Sequence, residues 1–182
     1  MFFKSLASLL LIVLPILSSA EVILSYNESD NSREYAISSD NCSELQSELN
    51  DFILITARYD KIPVKKQKVD CTKANNSFSL SQILPVNMSN ILNMKPEYYG
   101  PNCWDSVLYV NKLISGIRFS SPVEFQKTLT FNQCQLKSVE QKLVAGDIIR
   151  IFDKDREDFH AFVYITPNFS FSKNGPETRS RY

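Results

Sequence analysis

The chain has 182 residues, 43% of them hydrophobic and 22% charged, enough apolar material for a folded domain rather than a disordered segment. Its 20 basic and 20 acidic residues cancel, so no electrostatic footprint marks a nucleic-acid or anionic-lipid ligand for the chain as a whole. Four cysteines include no closely spaced pair of the zinc-knuckle or redox-dithiol kind, so no metal site is expected, and the cysteine chemistry considered below needs no organic cofactor.

The first 20 residues read as a secretory signal. Lys4 supplies the positive start, Leu9 to Leu14 begins a short apolar stretch, and Ser18-Ser19-Ala20 offers small residues for cleavage. The expected location is therefore secreted or periplasmic, with no stable membrane insertion once the signal is removed. Export also permits disulfides. The expected arrangement is Cys42–Cys71 with Cys134 free, although two disulfides that consume Cys103 remain an alternative.

Residues 21–94 read as a β-rich region. Short apolar or alternating runs at Glu21 to Tyr26, Arg33 to Ser38 and Asp51 to Ala57 are separated by polar Asn, Asp and Ser clusters, as between strands. Ser43 to Leu49 reads as one or two helical turns. Pro85 to Pro96 is a junction, and a second unit is expected over 95–182.

That second unit opens with a helix. Asn102 is a candidate N-cap, the apolar residues from Trp104 to Ile114 repeat at helical spacing, and Gly116 offers a stop. Ser121-Pro122-Val123-Glu124 is a capping box, which predicts a second helix over 122–130. Three strands follow at 147–152, 159–166 and 169–173, joined by the charged stretch Asp153 to Asp158 and by Pro167-Asn168. Helices followed by an antiparallel meander make an α+β arrangement.

Cys103 stands at the start of the first of these helices, and the chain's only histidine, His160, lies on the second strand. A helix N-terminus favours thiolate over thiol, and an imidazole beside it can carry protons to and from a leaving group. The backbone N–H of Cys103 is placed to help hold an oxyanion. Ser172 and Asn174 lie 12 and 14 residues beyond His160 and share its strand parity, so either can face the imidazole. An amide oxygen suits the orienting role, whereas Ser172 suits the spacing, and the choice stays open.

Four segments in order, Gly100-Pro101-Asn102-Cys103-Trp104, Ala145 to Ile149, His160 to Ile165 and Phe171 to Gly175, together resemble the NlpC-like, papain-related cysteine peptidases and amidases of bacteria. The resemblance covers about residues 99–176. It implies a papain-like core in which the cysteine-bearing helix packs on an antiparallel sheet. It also implies hydrolysis of an amide bond through a Cys103 thioester, with peptidoglycan stem peptides as the substrate class. A monomer is the expected form. Tyr98 or Tyr99 would match the family's upstream oxyanion donor. The chain departs from the family in having Asn102-Cys103-Trp104-Asp105 at the nucleophile and no second histidine. A non-catalytic cell-envelope binding module on the same fold and a thioester-using acyltransferase are the alternative readings. Asp153 to Asp158 reads as a solvated loop or the rim of a site for an amine-bearing ligand.

Overall fold

The computed structural model describes residues 22–29, 32–61, 67–71, 76–94 and 101–173. Among them the chain is a mixed α+β fold with two small antiparallel sheets and four α-helices. The first sheet is β1 (Ile23–Ser29), β2 (Ser32–Ser39) and β3 (Asn76–Ser79), in that order. Its register sets Ile23 against Ser38 and Ile37 against Phe78. Ile37 is fully buried and points the sheet's inner face at the core.

Between β2 and β3 runs α1 (Cys42–Asp60), where the sequence predicts a strand over Asp51 to Ala57. Two features decide for helix. Asn41 caps the start, its side chain accepting from the Ser43 and Glu44 N–H groups at 3.1 and 3.4 Å. Leu45, Leu49, Phe52 and Tyr59 then recur at helical spacing and are buried, with Leu54 left on the outer side. The run Phe52-Ile53-Leu54-Ile55 fits a strand when taken alone, and only the longer window exposes the 3.6-residue period. The Cys42–Cys71 disulfide ties the start of α1 to the following loop, as expected.

A 3₁₀ turn (Leu80–Gln82) leads into α2 (Val86–Asn93), and α3 (Cys103–Val110) and α4 (Pro122–Phe131) follow. The capping box at Ser121 and Glu124 is formed in both directions. The second helix of the sequence reading thus stands where predicted, but α3 is shorter than expected. Asn111 turns its amide back onto the Val107 carbonyl at 2.9 Å, and Lys112 adopts a left-handed conformation (φ 57°). Gly116 therefore plays no part in ending α3.

The second sheet is β4 (Ile148–Phe152), β5 (Asp158–Tyr164) and β6 (Ser170–Phe171), a simple meander. Along β5, Asp158, Ala161 and Val163 are buried and α3 packs against the strand. One continuous core joins α1, α2, α3, α4 and β5. Polar ties reinforce it across long sequence distances. The Tyr59 hydroxyl donates to the Gly146 carbonyl at 2.8 Å, Arg58 donates to the Ala145 carbonyl at 2.8 Å, and Lys112 reaches Asp60 at 2.9 Å.

Candidate functional site

The start of α3 is held by a buried polar network. Asn102 accepts from the Asp105 N–H at 3.0 Å and donates its own amide to the Ser120 carbonyl at 2.6 Å. Asp105, fully buried, accepts from the Arg118 N–H at 2.9 Å and the Ser120 hydroxyl at 3.0 Å. Burial pushes the Asp105 carboxyl up, and the donors at Arg118 and Ser120 offset part of that effect. These bonds pin the loop over residues 118–120 onto the first turn of α3. Sequence reasoning found the Asn102 cap but missed Asp105 and Ser120, because their partners are 13 to 18 residues apart.

Cys103 sits on this platform, beside β5, and is 5% exposed. Burial raises the thiol above its ordinary pKa, against the lesser opposing pull of backbone N–H groups of Ala161, Trp104 and Cys103 itself. The helix end alone thus fails to make a thiolate.

His160 lies on β5 opposite Ile151 of β4, on the same strand face as Phe162, whose ring centroid is 6.3 Å away. Burial lowers the imidazole pKa, so the neutral ring is favoured. No charge coupling to Cys103 enters the shift of either group. Ser172 gives its hydroxyl proton to the Ala161 carbonyl at 2.7 Å, bracing the end of the sheet. Asn174, Tyr98 and Tyr99 lie outside the described residues.

These findings correct the expectation of a cysteine hydrolase. The disulfide removes Cys42 and Cys71 from any nucleophilic role. Of the two free cysteines, Cys103 is buried, and burial opposes its ionisation. Cys134 is exposed on the segment after α4 and lies 26 residues before the chain's only histidine, His160. An amide hydrolase working through a Cys103 thioester, and with it the thiol-protease and peptidase reading, requires an activated sulfur that this arrangement does not supply. The acyltransferase alternative needs the same thioester and falls with it.

Three further side chains take on roles that the sequence conceals. Asp158, the last residue of the charged run, is buried rather than part of a solvated rim. It accepts from Arg150 Nε at 2.8 Å and Nη2 at 2.6 Å, and from Gln126 Nε2 at 2.8 Å. The Arg150 guanidinium in turn lies 4.7 Å from the Phe152 ring centroid and 5.8 Å from that of Phe125. Lys173 is 1% exposed, and burial pushes its ammonium pKa down. Trp104 packs against the core with its buried indole N–H unmatched by a hydrogen-bond acceptor among the described residues. Asp147 has the expected turn role. Burial would raise its carboxyl, but the bond from Lys137 at 2.6 Å and that from the Val144 N–H at 2.8 Å hold it below the ordinary range.

Among the described residues no group of three or more His, Cys, Asp or Glu side chains is placed to hold a metal ion. No helix among them is long and apolar enough to cross a membrane. Searches against family models, curated proteins and solved structures return no match to this chain.

Proposed function

We propose that this protein is an exported, non-catalytic binding module of the bacterial cell envelope, built on an NlpC-like frame without the frame's chemistry. The observation that carries the reading is the state of Cys103. The residue occupies the helix start that the family resemblance assigns to a nucleophile, yet it is buried and its ionisation is suppressed. Its surroundings are organised for packing. The Asn102, Asp105 and Ser120 bonds lock the helix end, and Ser172 braces Ala161. A frame of this kind retains a surface for an envelope peptide, and the resemblance names peptidoglycan stem peptides as the first ligand class to try. The signal-like leader supports this reading, because an exported protein would meet such peptides.

The test is co-sedimentation of the exported protein with purified peptidoglycan sacculi, with the supernatant assayed for newly released amino groups. The reading predicts saturable binding, no release of amines, and equal binding by Cys103→Ala. Amine release that disappears in Cys103→Ala would overturn it, as would the absence of binding.

A further inference from the structure

Glu48 and Asp51 stand three residues apart on α1, so their side chains are neighbours on one face of the helix. Glu48 is 7% exposed. Its Oε1 accepts from the Asn168 side-chain amide at 2.6 Å, which ties α1 to the turn between β5 and β6. The Phe52 and Phe169 rings, with centroids 5.9 Å apart, make a second contact between the same two elements. Thr166 shapes the turn itself, its hydroxyl accepting from the Asn168 and Phe169 N–H groups at 3.1 and 3.0 Å. Oε2 of Glu48 is also buried, and no donor reaches it. A buried carboxylate oxygen without a donor is costly unless a proton or a positive charge is supplied. The nearby cations are engaged elsewhere: Lys137 and Arg58 pair with Asp147 at 2.6 and 3.7 Å. Tyr164 of β5 faces the same carboxylates, and its hydroxyl bonds to neither of them among the described residues; burial and then the charges of Asp51, Glu48 and Asp147 oppose its ionisation.

We propose that Asp51 and Glu48 share a proton, and that this proton makes the tie between α1 and the β5–β6 turn an acid-strengthened latch. The Asp51 O–H donates to Glu48 Oε2, so the orphaned oxygen gains a partner while Oε1 keeps Asn168. When the proton leaves, two like charges face each other on one side of the helix, and the buried one again lacks a donor. The behaviour of Asp51 agrees. Burial and then the charge of Glu48 push its carboxyl above the ordinary value, and Lys142, in the loop before β4, pulls the other way with a smaller effect. A carboxyl raised in the folded state contributes stability that is complete below the unfolded pKa and is lost as pH rises through the folded one. Asp105 has the same sign, whereas Asp147 and Asp158 have the opposite one, so a difference between variants isolates the latch from their effects. The latch acts on the scaffold and stands apart from the peptidoglycan reading, and either can fail alone.

The test is urea unfolding of the wild type and Asp51→Asn from about pH 4 to about pH 7.5, joined to an NMR titration of the Asp51 carboxyl. The amide of the variant offers an N–H to Glu48 at every pH. Its urea midpoint should therefore lie above that of the wild type at about pH 7, and the gap should close as pH falls to about 4. In the wild type the Asp51 carboxyl should titrate above the ordinary aspartate value of about 3.9, and Glu48→Gln should bring it back towards that value. The wild-type titration stands as a test even where a variant fails to fold. A variant Asp51→Asn no more stable than wild type at about pH 7, a gap that does not change with pH, or an Asp51 titration at or below the ordinary value overturns the latch.

Discussion

Asp158→Ala removes the carboxylate that joins α4 to the second sheet, and its cost follows from the geometry. Three charge-assisted or neutral donors, two from Arg150 and one from Gln126, converge on a side chain with no exposed surface. Breaking a fully buried ion pair from one side costs about 3–5 kcal/mol, because the remaining charge is left without a partner. The Arg150 side chain is 20% exposed and still rests on Phe152, so water and the ring recover part of that loss. The expected destabilisation is therefore about 2–4 kcal/mol. For a domain of this size it corresponds to a fall in Tm of roughly 5–15 °C. Far-UV circular dichroism through thermal and urea unfolding reads it directly. The double variant Asp158→Ala/Arg150→Met removes the orphaned charge while keeping apolar contact with the rings, and it should recover at least half of the loss. A single-variant cost under about 1 kcal/mol, or a double variant less stable than the single, would refute the clamp. The pH dependence has a definite sign. Burial alone would raise the Asp158 carboxyl, but the Arg150 and Gln126 bonds and the guanidinium charge outweigh it and hold the folded-state pKa below its ordinary value. Stability from a depressed carboxylate is complete above the unfolded pKa and is lost as pH falls through the folded one. The gap between wild type and Asp158→Ala should thus narrow below about pH 4.

Further substitutions test the ties made by α1. Gly146 has φ 93°, and a Cβ there would lie 2.8 Å from the Tyr59 hydroxyl and 3.0 Å from Arg58 Nη1. Gly146→Ala should cost about 1–3 kcal/mol in urea unfolding, whereas Gly116→Ala, with nothing within 4 Å, should fall within about 0.5 kcal/mol of wild type. Equal effects at the two glycines would refute the close approach of α1 to the turn before β4. Replacing both Cys42 and Cys71 by serine opens a link across 29 residues and should lower stability by about 3 kcal/mol. An unchanged urea midpoint would show that the disulfide adds no constraint.

What the sequence disclosed was what local rules govern. The Asn102 cap, the Ser121 to Glu124 capping box and the alternation along β5 involve residues within four positions of one another, so their physics is written in short windows. The sequence misleads at α1 because four consecutive apolar residues satisfy both periods, and the deciding cap at Asn41 lies eleven residues before the first of them. The Asp158 clamp was hidden because Gln126 is 32 residues away and the neighbouring charges make the whole run look solvated. At the candidate site, the pattern of Cys103 and His160 was visible, whereas the burial that opposes ionisation of the thiol is a property of packing. Helix-dipole reasoning weighs one influence on a cysteine. Desolvation by α3 and β5 weighs more here, and no window of sequence contains it.

The most direct test of the account is the rate of thiol alkylation of the native, non-reduced protein between about pH 5 and pH 8, mapped peptide by peptide. Exposed Cys134 should label readily, while buried Cys103 should label slowly across the range, equally so in His160→Ala. Rapid labelling of Cys103 near pH 6 that is lost in His160→Ala would reveal an activated thiolate and contradict the non-catalytic reading.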